Sequence, residues 1–402
     1  MGGWRTLSTS LLSRSDDDCC QVSPCCRYCG FGGDFGGCHY QDRLSEGRRN
    51  DCGDWYTSGV TSYGVNAVVV TPGNIPTDER IPPLTTVDTR VLKGASPAGM
   101  LKQTIAIAKD LYRDQRGQGA VLATVLVGRD PAALAYRASI VRTFKKVEIE
   151  HRKVELDETI TNAELETTLI ELNNDDDITG ILVLMPLPDQ LDPHVVLETL
   201  SPMKDVDGIT PVNSGRLHLG LPSLKPSTPA GGLELLRYYG VNLEGANIAV
   251  VGRSNVVGRP LATMLTHADA TVTLLHTKSK NLAQQVKRAE IVCVAAGSAG
   301  LITGKMIRKG ALVLDFGVNV NEEKQVVGDA DTESLEGIAS AYTPTPGGTG
   351  PVTAMVLARN VLAAGFAQLE GTLDALQELD NHLQCPLPDI SEFLDPIHVT
   401  DD

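Results

Sequence analysis

Between Val121 and Asp315 the chain alternates short apolar runs of strand length with longer stretches of helical period. No other feature restricts its fold as strongly. Val121 to Val127 reads as a buried strand, set between a helix over Leu101 to Tyr112 and another over Pro131 to Val147. The pattern continues with a strand from His151 to Leu156, a helix from Asn162 to Leu172, a strand from Ile178 to Leu184 and a short helix near His194 to Leu200. A second series holds strands at Asn247 to Val251, Thr271 to Leu275, Ile291 to Ala295 and Ala311 to Asp315, with helices at Val257 to Thr266 and Asn281 to Arg288. After Thr353 a long apolar helix runs to about Leu369. Strands joined through helices run parallel, so the prediction is an α/β chain of two tandem parallel-sheet domains. Ligands of such sheets sit at the carboxyl ends of the strands, which puts the expected site in the cleft between the units.

One strand-to-helix junction carries chemistry. Gly252-Arg253-Ser254-Asn255-Val256-Val257-Gly258-Arg259-Pro260 follows an apolar strand and opens a helix. There, free backbone N–H groups and the helix dipole can receive a pyrophosphate. The spacing departs from G-x-G-x-x-G, and a structural strand-to-helix turn would give the same pattern. Read as a nicotinamide dinucleotide site, it uses Gly252, Arg253, Ser254, Val257, Gly258 and Pro260. The next strand ends at His276-Thr277-Lys278, without the acid that a ribose 2′-hydroxyl would call for. Arg253, Thr277 and Lys278 offer donors for a 2′-phosphate instead, which favours NADP over NAD, although a basic triplet is also ordinary solvated surface.

Fifty acidic against 35 basic residues give a net charge of −15, which argues against a sequence-independent grip on nucleic acid. No uninterrupted apolar run reaches the ~18 residues of a membrane span, so no membrane partner is expected. Seven of nine cysteines (Cys19, Cys20, Cys25, Cys26, Cys29, Cys38 and Cys52) fall in the first 52 residues. Cys26 and Cys29 have a zinc-knuckle gap, but any remaining ligands would be irregularly spaced, so residues 1–85 read first as a Cys/Gly-rich extension with no packed core and no metal. Asn66 to Val70 is a short candidate strand within it, stopped at Thr71-Pro72-Gly73. Gly2 fits a myristoylation pattern, and Arg5 and Arg14 a transit peptide, against which Asp16, Asp17 and Asp18 count. The expected location is cytoplasmic, or organellar if the extension is a transit peptide.

Four separated runs then occur in order: Lys204-Asp205-Val206-Asp207-Gly208, Pro226-Ser227-Thr228-Pro229, the Gly252 to Pro260 turn, and Pro346-Gly347-Gly348-Thr349-Gly350-Pro351-Val352-Thr353. Together they resemble the methylenetetrahydrofolate dehydrogenase/methenyltetrahydrofolate cyclohydrolase family, over about 280 residues from Val91 to about Leu369. The resemblance implies a folate-binding catalytic domain over 86–232, with the 353–370 helix packed back on it. A Rossmann-like NADP-binding domain over 233–352 and an acidic tail over 371–402 would follow. It also implies oxidation of 5,10-methylenetetrahydrofolate with NADP or NAD in one-carbon metabolism, hydrolysis of the methenyl product to 10-formyltetrahydrofolate in many members, and a homodimer. On this resemblance Asp207 holds the pterin amino edge and Tyr136 stacks on the folate. Pro346, Gly347, Gly348 and Thr353 border the cleft beside the nicotinamide. The residues also admit plainer roles: Asp205 and Asp207 as turn caps, Tyr136 as a core aromatic, and the Pro/Gly loop as turn chemistry.

Two departures from the family pattern bear on activity. The family places a lysine one helical turn after the tyrosine, where this chain has Ile140, and a glutamine before Leu-Pro-Leu-Pro, where it has Leu184. Lys145 and Lys146 do not replace the lysine, because an offset of nine residues from Tyr136 turns about 180° around a helix. Losing one of two hydrogen-bonded partners strands the other at ~1 to 3 kcal/mol, whereas exchanging both for apolar groups is nearly neutral. Ile140 with Leu184 therefore reads as one coherent remodelling. Hydride transfer needs alignment and exclusion of water, while hydrolysis needs proton movement for which a placed acid/base gives roughly 10² to 10⁴ in rate. The expectation is an NADP-linked dehydrogenase with weak or absent cyclohydrolase activity. The alternatives are a catalytically silent nucleotide-binding homologue or regulatory subunit, and an oxidoreductase for a less polar substrate.

Overall fold

The computed structural model describes residues 88–377, so the readings of the cysteine-rich extension and of the far acidic tail lie outside the described residues. In chain order the elements are β1 (Arg90–Val91), α1 (Ala95–Arg116), β2 (Val121–Val127), α2 (Pro131–Val147), β3 (Glu150–Leu156), α3 (Asn162–Asn174), β4 (Gly180–Val183), α4 (Pro193–Thr199), α5 (Pro211–His218) and α6 (Ser227–Tyr238). They continue with β5 (Asn247–Val251), α7 (Gly258–His267), β6 (Thr271–Leu275), α8 (Leu282–Val286), β7 (Ile291–Val294), β8 (Leu312–Asp315), β9 (Asn319–Val320), β10 (Val326–Val327), α9 (Thr332–Leu335), β11 (Ala341–Tyr342) and α10 (Thr349–Glu370). A parallel sheet of order β3-β2-β4 forms the first lobe, and a six-stranded sheet of order β1-β11-β8-β7-β5-β6 the second. All pairings in both sheets are parallel, which matches the α/β prediction, and β9 with β10 forms an antiparallel ribbon.

The helix starts follow local chemistry. The Asp130 carboxylate accepts from Ala133 N ahead of Pro131, and Thr161 and Glu164 form a reciprocal capping box. Asp192 and Thr210 cap helices that open on Pro193 and Pro211. β2 is buried along its whole length, as its unbroken apolar run requires, whereas β3 alternates half-buried and exposed positions at the sheet edge.

Three helices fall outside the sequence reading: α5, α6 and the single turn α9. The α5 sequence carries Gly215, and α6 carries Pro229, Gly231 and Gly232, which lowers their intrinsic helix preference. Tertiary packing overrides that preference in α6. Its turns lie so close to α10 and β8 that a β-carbon at Gly231 would stand 3.0 Å from Thr353 N, and one at Gly232 2.3 Å from the Phe316 ring. β1 and β11 are two-residue strands, too short to show a period, and β1 carries Arg90–Val91 into the second sheet although α1, next in the chain, serves the first lobe.

The α10 helix is long and apolar enough to cross a membrane by length and mean hydropathy, a property hidden from a search for uninterrupted apolar runs by Arg359. Here 83 % of that stretch is buried. It belongs to one apolar cluster with Leu101 and Ile105 of α1 and Leu235 and Leu236 of α6. The first residues past α10 are also packed: Leu373 and Leu376 are buried around a 3₁₀ turn at Leu373–Ala375.

Candidate active site

Tyr136 stands on α2, whose buried stripe is Ala133, Arg137, Ile140, Phe144 and Val147. Tyr136 keeps 37 % of its surface accessible, yet protein surrounds its phenol and burial pushes the pKa up, reinforced by the Asp207 carboxylate and opposed by a hydrogen bond with Ser227. High accessibility together with strong desolvation is what a residue in a cleft wall shows. Asp207 accepts from both Ser227 N (3.1 Å) and Ser227 Oγ (2.7 Å), at the first residue of α6. Desolvation raises the Asp207 pKa to about 6 against these two bonds, with the neighbouring Asp205 charge adding to the rise. Ser227 lies in a motif quoted above but was given no role from sequence.

The two aspartates of the Lys204 to Gly208 run differ in role. Asp205 is 1 % exposed and accepts from Ile209 N, Thr210 N, Thr210 Oγ1 and Asn213 Nδ2. It is therefore the turn cap, and holds in shape the loop from which Asp207 reaches Ser227. Lys204 faces the back of the lobe, donating from Nζ to the Leu172 and Asp175 carbonyls, and burial lowers its pKa. Arg137 donates to Glu155 at 2.5 Å, and Lys145 and Lys146 are exposed. Ile140 (0 % exposed) and Leu184 (2 %) are sealed in the same apolar cluster.

The Pro346–Gly348 loop joins β11 of the second lobe to α10. Gly347 O accepts from Gly94 N at 2.8 Å, and the Thr349 hydroxyl donates to the Asp315 carbonyl at the end of β8. Thr353 is buried one turn into α10, with its hydroxyl donating to Thr349 O, while its backbone packs against Gly231 of α6. The helix that begins at Ser227 and the helix that follows the Pro/Gly loop thus meet directly. The peptide bonds Met185–Pro186 and Thr345–Pro346 are cis.

In the second lobe the Gly252 turn has the geometry its sequence suggested. Gly252 has φ +126°, and a β-carbon there would stand 2.0 Å from the Ala295 carbonyl oxygen. A β-carbon at Gly258 would stand 2.0 Å from Gly252 O, so the turn is closed against the start of α7 as only two glycines allow. Ser254 Oγ accepts from Val257 N and Gly258 N, and Pro260 is buried in the first turn of α7. Gly252 N donates to Leu275 O, which ties the end of β5 to the end of β6. Arg253, Thr277 and Lys278 are exposed at these neighbouring strand ends. His276 is fixed in a tight turn: its carbonyl accepts from Ser279 N, its N–H donates to Ser279 Oγ, and its Nδ1 accepts from Lys278 N. The bare backbone, the helix start and the acid-free β6 end fit a dinucleotide pyrophosphate with a 2′-phosphate. Among the described residues no group of three or more His, Cys, Asp or Glu could hold a metal ion.

Residues 92–207 match the tetrahydrofolate dehydrogenase/cyclohydrolase catalytic domain, and residues 226–368 match the NAD(P)-binding domain of the same name. The bifunctional protein FolD of Herpetosiphon aurantiacus is 46% identical over 280 residues, 70% of this chain and 98% of that protein. The crystal structure of the bifunctional methylenetetrahydrofolate dehydrogenase/cyclohydrolase of Campylobacter jejuni is similar at 37% identity and TM-score 0.67, covering 70% of this chain and 99% of that one. The Trypanosoma brucei methylenetetrahydrofolate dehydrogenase-cyclohydrolase, solved with NADP and an inhibitor, is 31% identical with TM-score 0.67, covering 70% of this chain and 98% of its own.

Proposed function

The chain belongs to the tetrahydrofolate dehydrogenase/cyclohydrolase family, and from that premise we propose that it oxidises 5,10-methylenetetrahydrofolate to the methenyl form with NADP while hydrolysing the product slowly or not at all. The observation that carries the proposal is a polar cluster, Tyr136, Asp207 and Ser227, in a lobe where Ile140 and Leu184 are each apolar and buried. The cluster suits binding: Asp207, held by two Ser227 donors, is oriented to accept from a pterin amino edge, and Tyr136 offers a ring face beside it. NADP, when bound, supplies the hydride acceptor. Gly252 and Gly258 let the turn close tightly beneath its phosphates, and Arg253, Thr277 and Lys278 offer exposed donors to its 2′-phosphate.

Hydrolysis asks for a group that moves a proton during water attack, worth roughly 10² to 10⁴ in rate. In this reading Asp207 is engaged with the pterin edge, and the lysine and glutamine of the family pattern are not in place. Ile140 and Leu184 are apolar, Lys204 is engaged with two carbonyls and Arg137 with Glu155. The finer assembly, a homodimer binding tetrahydrofolate derivatives, is part of the same proposal and rests on the family. A second reading, a nucleotide-binding homologue without turnover, draws on the same loss of polar groups.

The full-length protein, given methylenetetrahydrofolate and NADP, is expected to form reduced nicotinamide and methenyl absorbance in equal amounts, the methenyl signal then decaying no faster than without protein. Dinucleotide binding without turnover would establish the second reading, and rapid enzymatic loss of the methenyl signal would refute the first. Ile140→Lys with Leu184→Gln is expected to raise hydrolysis by at least tenfold, whereas Ile140→Lys alone, burying an unpaired cation, costs about 3 kcal/mol or more of stability.

A further inference from the structure

Asp329 lies in the segment between β10 and α9, outside every motif identified from sequence, and is fully buried (0 % exposed). Its carboxylate gathers three consecutive backbone donors from the loop after β7: Oδ2 accepts from Ala296 N (2.6 Å) and Gly297 N (2.9 Å), and Oδ1 from Ser298 N (2.8 Å). Asn319 Nδ2 donates to Oδ1 at 2.8 Å. The Asp329 backbone is fixed as well: its N–H donates to Asp315 Oδ1, and its carbonyl accepts from Ile302 N. Successive N–H groups turned onto one anion form a nest, and the carboxylate here is its permanent occupant.

That nest sits where the cofactor half of the site is built. β7 lies between β5 and β8, and its outgoing residue, Ala295, puts its carbonyl against Gly252. In a trans peptide the C=O of one residue and the N–H of the next point in opposite directions. With the N–H groups of Ala296, Gly297 and Ser298 turned onto Asp329, the carbonyls of Ala295, Ala296 and Gly297 are directed away from it, and the first of these meets the Gly252 turn. We infer that Asp329 is a positioning residue for the dinucleotide: it never touches the cofactor, but holds the 295–298 backbone so that its carbonyls face hydroxyl and amide donors of the nucleotide beside Gly252. The inference rests on the dehydrogenase reading above.

The test uses the full-length protein, NADP and methylenetetrahydrofolate. Asp329→Asn keeps the size of the side chain but replaces one acceptor by a donor that opposes the loop N–H groups. The NADP Kd, read by calorimetry, is expected to weaken at least tenfold, while the KM for the folate substrate stays within twofold. A folded variant with unchanged Kd, or with both constants raised in parallel, would overturn the inference, because a role confined to stability moves the melting temperature alone or both sites together. If Asp329→Asn does not fold, Asn319→Ala, which removes one of the four donors, is expected to weaken NADP two- to threefold, and no change in that variant would overturn the inference equally. Absence of dinucleotide binding by the unaltered protein would instead refute the functional reading on which this rests.

Discussion

Asp207→Asn is expected to stabilise the fold above pH 6 and to disable the enzyme. The Asp207 carboxyl has its pKa raised from an ordinary 3.8 to about 6, first by desolvation and then by Asp205, against two opposing bonds from Ser227. A raised pKa means the folded state binds the proton more tightly than the unfolded chain. The associated stability is therefore complete below about pH 4, is lost as pH climbs through 6, and stays lost above it. Roughly two pKa units at about 1.4 kcal/mol each put the loss near 3 kcal/mol. Asparagine has no charge to desolvate, and its Oδ1 can still accept from Ser227 N and Oγ. Above pH 6 the variant should recover about 2 to 3 kcal/mol, or roughly 4 to 8 °C in Tm for a domain of this size. Loss of a charge-assisted contact to substrate at about 1.5 to 3 kcal/mol should meanwhile lower kcat/KM by one to two orders of magnitude. Melting curves of both proteins from pH 4 to 8 provide the assay. A Tm difference that is the same at both ends of that range, or a variant less stable at pH 8, would refute the reasoning.

Gly252→Ala should remove nucleotide binding and cost about 2 kcal/mol or more, since φ +126° and a 2.0 Å approach to the Ala295 oxygen leave no room for a methyl group. A variant whose melting temperature still rises on adding NADP would contradict this. Cys293 is fully buried on β7 and its thiol is pushed up to about 12 by burial. Its peptide should stay unmodified after iodoacetamide treatment of the native protein and become labelled only in denaturant, as read by mass spectrometry.

The fold was legible where hydrophobic burial alone decides structure. β2, β5 and β7 and helix α2 stand where their apolar runs and the Asp130-Pro131 start place them. It was illegible where tertiary contact overrules local preference, as in α6 with Pro229, Gly231 and Gly232, or where an element is too short to have a period, as in β1 and β11. The site divides in the same way. Tyr136, Asp207 and Gly252 lie in motifs whose spacing carries meaning. Ser227 was visible only as part of such a motif, because its bond to Asp207 spans 20 residues. Asp329 left no trace at all: three of its partners are backbone N–H groups, which every residue except proline possesses.

The chain passes from the second lobe to the first twice at nearly one point. It runs from β1 to α1 through Lys93–Gly94 and from β11 to α10 through Pro346–Gly348, and the two passages are laced together by Gly94 N on Gly347 O, while the opposite passage runs from α6 to β5. Two strands of backbone tied side by side resist slip along their common line. The seam pins the register of the lobes at one edge, while a single apolar cluster running from α1 and α2 through α6 to β5 and β7 joins them over a wider area. Because the loop at the seam is also the one proposed to border the cleft, a change at Gly347 would be felt in the register of the lobes and in the shape of the cleft together.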